Sequence, residues 1–168
     1  RFVDEKEPEK GLLFNGRVSE DFKLSSGTWV NVGMLRVKAL AMLAPIAQDI
    51  VLTGHDSDSI GFLIFANANA CRSLCMDLSA DATLAQVLAH ISVREKVLAG
   101  LQALAREGGG SSTYATRALL MEEPASIDAG EITDKGYINQ RAVLAHRSAL
   151  VQKLQTKTVG HDIIELKI

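Results

Sequence analysis

Aromatic residues are scarce in this 168-residue chain, at 5% with a single Trp. Any core must therefore be built from aliphatic side chains. Cysteine occurs twice, as Cys71 and Cys75 in "ACRSLCMD". A Cys-x3-Cys pair with no second pair and no neighbouring His does not make a zinc site, so free thiols of a reducing cytoplasm are expected. The sequence shows no signal peptide and no apolar run long enough to span a bilayer. It also lacks an excess of either charge: 18 Lys and Arg face 20 Asp and Glu, a formal net charge of -2. That argues against nucleic acid or an acidic membrane as a partner held by bulk charge. A small anionic ligand held by a few aimed groups stays open. What is present, 47% hydrophobic and 23% charged residues, is the composition of an ordinary globular domain with a real core. The chain enters on "RFVDEKEPEKG" without a methionine, and a piece of a longer protein is expected.

Patterning yields a series of short elements. Leu12-Leu13-Phe14 is a strand candidate ending at the turn Asn15-Gly16. Phe22 to Leu24 and Thr28 to Val30 flank the turn Ser25-Ser26-Gly27 as a hairpin. Leu35, Ala39, Met42 and Leu43 repeat at helical spacing until Pro45. The apolar runs Ile50 to Thr53 and Ile60 to Phe65, joined by the polar turn His55 to Ser59, predict a second, well-buried hairpin. Leu84, Val87 and Leu88 predict a short helix. A longer one is expected to start at Ser92, whose spacing to Glu95 fits a capping box, and to stop at the glycines 108 to 110. "ATRALLMEE" predicts a strand, Pro124 to Lys135 a loop, and "NQRAVLAHRSALVQKLQ" a helix capped by Asn139. No element is assigned from Thr156 onward. The order predicts an α+β fold: a small mixed or antiparallel sheet, preceded by a hairpin and flanked by helices.

Several motifs read as ordinary surface. "EGGGSST" has the glycines and hydroxyls of a phosphate cradle, but no Walker lysine and no strand leading in, so a helix-to-strand loop is expected. "GHDSD" pairs His and Asp without a nucleophile and reads as a solvated hairpin tip. The carboxylates of "MEEPASIDAGEITD" lack the alternation of a calcium loop and read as a polar surface loop. "GEITDKGYIN" stands apart. Lys135 sits beside Gly136 directly before a capped helix, where a compact charge with three donors could reach phosphate or carboxylate oxygens.

Taken together, "GRVSEDFKLSSGTWVNV" and "DAGEITDKGYINQRAVL" resemble two motifs of the AMP-forming acyl- and aryl-CoA synthetases, of the adenylate-forming superfamily. The first is similar to the hinge and hairpin motif that opens the C-terminal domain. The second is similar to the C-terminal lysine motif, in the spelling of feruloyl-CoA synthetases. The resemblance covers most of the chain, with the motifs in the family's order.

The resemblance implies an ATP-dependent, AMP-forming aromatic acid–CoA ligase of feruloyl or hydroxycinnamate type, with ATP, coenzyme A and Mg2+ as cofactors. The metal and most of the nucleotide would be bound by a large N-terminal domain of the same enzyme, the partner of this one. Residues 1–18 would close that domain and its linker, 19–155 form the C-terminal lid, and 156–168 a tail. Arg17 would bind the nucleotide ribose and Ser19 take the hinge position, where the family usually has Asp or Lys. Lys135 would stabilise charge during adenylation. Ser26, Gly27 and Thr28 would bind coenzyme A in the second pose, Gly27 letting the backbone approach the pantetheine arm. In another register, which aligns Gly136 with the glycine of Gly-Lys-Ile, Tyr137 takes the lysine position; the pattern Thr-x-Lys-Gly-x-Ile favours Lys135. A fatty-acyl ligase and a non-catalytic interaction module on the same fold remain the alternatives.

Overall fold

The computed structural model describes residues 6–11 and 20–167. Arg17, Ser19 and the strand expected at 12–14 lie outside the described residues. Helices and strands alternate around two sheets, an α+β arrangement as expected. The hairpin of β1 (Phe22–Lys23) and β2 (Trp29–Val30) is followed by helix α1 (Val32–Met42). Next come strands β3 (Ala47–Thr53) and β4 (Ile60–Ala66), then helices α2 (Ala68–Ser73), α3 (Leu84–Ala89) and α4 (Ile91–Glu107). Strand β5 (Ala115–Met121), helices α5 (Gln140–His146) and α6 (Ser148–Gln155), and strand β6 (Ile163–Glu165) complete the chain.

The larger sheet has the order β3-β4-β5-β6. Its β3–β4 and β5–β6 pairs are antiparallel, whereas β4 and β5 are parallel. A parallel pair needs a long crossover, which α2, α3 and α4 supply. Alternation along the strands divides the core between two faces. Ile50, Leu52, Phe62, Ile64 and Ala118 pack with α1 and α4; Val51, Leu63, Phe65, Leu119 and Met121 pack with α5, α6 and Ile163. Helices cover both sides of β4, so its unbroken apolar run is buried throughout.

Local chemistry explains the boundaries. Asn31 caps α1 by accepting the Met34 N–H at 2.8 Å, and Asp21 accepts the Val32 N–H at 2.9 Å. Part of the polar approach to the first hairpin thus serves the helix after it. The capping box expected at Ser92 and Glu95 lies instead at Thr83 and Gln86, which open α3. Helix α4 begins at Ile91, where His90 Nδ1 accepts the Ser92 N–H at 3.2 Å. The helix expected from Asn139 is two helices, α5 and α6, because the chain leaves helical geometry at Arg147 (φ -100°, ψ 31°). Residues after Thr156, which were assigned no element, hold β6. Arg117 ties that strand in by donating to Glu165 Oε1 at 2.9 Å and to the Leu154 carbonyl at 3.0 Å.

Helices α1 and α4 pack closely because residue 100 is glycine. A Cβ there would meet Leu43 Cδ2 at 2.5 Å and the Met42 carbonyl oxygen at 3.0 Å. Gly100→Ala is therefore expected to destabilise the domain by about 1–3 kcal/mol through overpacking, which urea unfolding followed by circular dichroism will measure.

Candidate functional site

Lys135 stands on the tip of a small hairpin whose arms meet at the bridge between Ile132 and Ile138. The Thr133 N–H donates to the Tyr137 carbonyl at 2.8 Å, and the Gly136 N–H donates to the Thr133 carbonyl at 2.9 Å. Closing so tight a loop requires a left-handed residue, and Gly136 supplies it at φ +79°. Lys135 is exposed on this turn. Tyr137, on the returning arm, is 63% exposed, with its N–H on Thr133 Oγ1 at 3.2 Å.

Both feet of the hairpin are bolted to the body. Asn139 at the second foot caps α5 by accepting the Ala142 N–H at 3.3 Å. Next to it the buried Gln140 pairs with the edge of β3: its Oε1 accepts the Leu52 N–H at 3.1 Å, and its Nε2 donates to the Leu52 carbonyl at 3.0 Å. At the first foot Glu131 has no solvent exposure. Arg147 donates to it through Nε to Oε1 at 2.7 Å and through Nη2 to Oε2 at 2.8 Å. The Ser126 N–H and His146 Nδ1 complete its shell at 2.7 and 2.9 Å. Arg147 also donates to the carbonyls of Glu123 and Pro124, at 3.0 and 2.7 Å, and lies 5.0 Å from the Phe65 ring centroid. The carboxylates of this segment were expected to form a polar surface loop. Glu131 departs from that, because Arg147 satisfies its charge inside the protein. The Arg147 hydrogen bonds hold the Glu131 carboxyl down at about 2, from 4.5; burial opposes them, and Ser126 and His146 assist.

The Lys135 hairpin walls one side of a cleft of about 650 Å3 at the carboxyl ends of β4 and β5. Phe65, Met121, Asn67, Glu122, Ile132 and Ile138 are among its lining.

Ser26, Gly27 and Thr28 lie elsewhere, on the exposed turn between β1 and β2. Gly27 takes φ +82°, and a Cβ on it would meet nothing within 4 Å. Its glycine is thus demanded locally by the turn. The Ser26 and Thr28 hydroxyls are 2.9 Å apart. The turn is fastened to the β3–β4 connection: Ser25 donates from its N–H to the Ser57 carbonyl at 3.0 Å and from Oγ to Asp58 Oδ1 at 2.7 Å. That connection leads into Ile60, whereas Phe65 and Ala66 line the cleft beside Lys135. The two predicted segments therefore sit at opposite ends of β4, a strand of about 20 Å, and are not brought together.

Glu131, Arg147 and Gln140 went unnoticed in the sequence. Their only signal was placement: an acid before the hairpin, and a polar residue at the start and an arginine in the middle of an expected amphipathic helix. Cys71 and Cys75 are free and buried, and burial, with Cys75 second, pushes the Cys71 thiol up to about 11. Among the described residues no three metal-binding side chains come together, and no helix is long and apolar enough to cross a membrane.

Solved structures share this fold. The A domain of carboxylic acid reductase from Segniliparus rugosus, in complex with AMP and a co-purified carboxylic acid, matches 83% of this chain at 18% identity and a TM-score of 0.63. The A-PCP didomain of carboxylic acid reductase from the same organism, in complex with AMP, matches 90% at 18% identity and a TM-score of 0.65. The adenylation domain of a carboxylate reductase from Mycobacterium chelonae matches 85% at 17% identity and a TM-score of 0.63. The chain spans about a fifth of the length of each, from 19% to 20%. At this identity the likeness is one of fold, shared with adenylation domains. No protein-family model matches the chain, and no curated protein does.

Acid should act on this site in a defined direction. A depressed carboxyl contributes stability that is complete above its unfolded value and lost as pH falls through its folded one. Wild-type stability is expected to decline between pH 4.5 and about 2 as Glu131 protonates. Glu131→Gln should lower stability at neutral pH and flatten the decline in that window, measured by urea unfolding at a series of pH values.

Proposed function

We propose that this chain is the mobile C-terminal domain of an enzyme that activates a carboxylic acid as its adenylate and passes the acyl group to a thiol. The arrangement that carries this reading is the pair of exposed glycine-turned tips at opposite ends of β4, one bearing Lys135 and the other Ser26, Gly27 and Thr28. One rigid domain with tips so far apart serves two chemical steps at a single site by presenting first one and then the other. The similarity of the fold to adenylation domains holding AMP supports it.

In the first step a carboxylate oxygen attacks the α-phosphorus of ATP. The new P–O bond forms as the bond to pyrophosphate breaks. Lys135 enters as a positioned cation where negative charge gathers, an effect enlarged once water is excluded. Arg17 holds the ribose near the domain boundary, and Ser19 absorbs the backbone rotation. In the second step the domain turns, and Ser26, Gly27 and Thr28 face the incoming thiol. Sulfur attacks the acyl carbon, the thiol proton is lost, and AMP leaves. Magnesium, which neutralises the phosphates when bound, belongs with the large domain in this reading.

The acceptor we assign is coenzyme A, and the acid an aromatic one of feruloyl or hydroxycinnamate type, on the spelling of the two motifs. The enzyme works in a reducing cytoplasm, in keeping with two free thiols. A second reading has its own support: solved structures of similar fold include reductase adenylation domains, one of them joined to a PCP domain. There the acceptor thiol would be carried by a protein.

Lys135→Ala in the full-length enzyme separates the steps. Pyrophosphate release from ATP with ferulate, benzoate or dodecanoate is expected to fall ~10²-fold or more, while thioester formation from the preformed adenylate survives. Survival of both steps would move the role to Tyr137 or leave the domain without a catalytic part. Coenzyme A against a carrier domain as acceptor distinguishes the two readings of the thiol.

A further inference from the structure

We infer that Glu131 and Arg147 are positioning residues for the adenylation step, setting the pose of the hairpin that presents Lys135; this rests on the role proposed for Lys135. The hairpin itself is weak. One bridge joins its arms; Ile138 packs at the base, but residues 134–137 at the tip are exposed, so packing does not reach the tip. Its direction is decided at its feet. The second foot has the Asn139 cap and the Gln140 pairing with Leu52. The first has Glu131, whose carboxylate receives Arg147, His146 and Ser126, and whose backbone carbonyl accepts the Asn139 N–H at 2.8 Å. Glu131 thus joins both feet to each other and to the junction of α5 and α6.

Stability alone does not explain this choice. A buried ion pair recovers little beyond its own desolvation, and well-packed apolar residues often do as well. What a paired guanidinium and carboxylate add is direction, through two parallel hydrogen bonds in a rigid fork. Arg147 extends the fork to the carbonyls of Glu123 and Pro124 and to the face of Phe65, registering the hairpin against the ends of β4 and β5. A small tilt at the foot becomes a larger displacement at the ammonium of Lys135. Displacements of about 1 Å can cost up to ~10²-fold in rate.

The test uses the full-length enzyme with Glu131→Gln, Arg147→Lys, Lys135→Ala and the double variant Glu131→Gln with Lys135→Ala. Ferulate or whichever acid of the panel is turned over fastest is the probe, assayed below the melting temperature of every variant. Glu131→Gln and Arg147→Lys are each expected to lower pyrophosphate release about 10-fold, mainly in kcat. Thioester formation from preformed adenylate should stay within about twofold of wild type. In the double variant the Glu131 change should add nothing beyond Lys135→Ala, because once the lysine is gone its positioning no longer matters.

Equal losses in both steps, a fall in melting temperature with adenylation intact, or multiplicative losses in the double variant would overturn the proposal. If Lys135→Ala itself spares adenylation, the reading of Lys135 fails and takes this inference with it. If Lys135→Ala abolishes adenylation and Glu131→Gln leaves it unchanged, this inference alone fails. Should Glu131→Gln not fold, Arg147→Lys decides by the same readouts, since it keeps the charge and loses the fork.

Discussion

The buried pair of Glu131 and Arg147 organises the half of the molecule that carries Lys135. A carboxylate without solvent exposure needs a charge and several donors around it. Meeting that need shapes the chain nearby. Arg147 turns inward, and the expected long helix divides into α5 and α6 at that residue. The segment after β5 is drawn against the body through the carbonyls of Glu123 and Pro124. The hairpin of Ile132 and Ile138 then rises from a fixed base with its tip in solvent. A polar demand inside the protein thereby becomes an ordered loop on its surface.

The sheet provides the second constraint. Because β4 is covered on both faces and paired with β3 and β5 along its length, it separates the two tips by a fixed distance. The β1–β2 turn is anchored to the start of β4 through Ser57 and Asp58, and the Lys135 hairpin borders its end. In the function proposed above, rigid spacing of this kind lets one domain offer alternative faces to one site. A flexible spacer would lose the orientation that the chemistry needs.

Most elements were legible because period and punctuation carry them. The two apolar runs of β3 and β4, the Asn139 cap and the glycine stop of α4 are local properties, expressed wherever the residues go. The errors share one cause. Ser92 with Glu95 and Thr83 with Gln86 both have capping-box spacing; Thr83 caps α3, whereas α4 starts ahead of Ser92, at Ile91, capped by His90, whose ring lies 3.0 Å from Asp77. Glu131 reads as one more carboxylate in an acidic loop until Arg147 is placed beside it. Strand β6 is three residues long, too short to assert itself without the edge of β5.

By itself the sequence determined the fold class and the positions of its turns, and it singled out two candidate segments, since these depend on side-chain period, backbone restriction and neighbouring residues. Tertiary structure alone decided which charges are buried, which strands lie parallel, and that the two marked segments stand apart at opposite ends of β4. The physical reason is range. Caps and turns are made between residues a few positions apart, whereas Gln140 meets Leu52 across 88 positions and Arg117 meets Glu165 across 48. Such pairings acquire their energy only after the chain has closed around them.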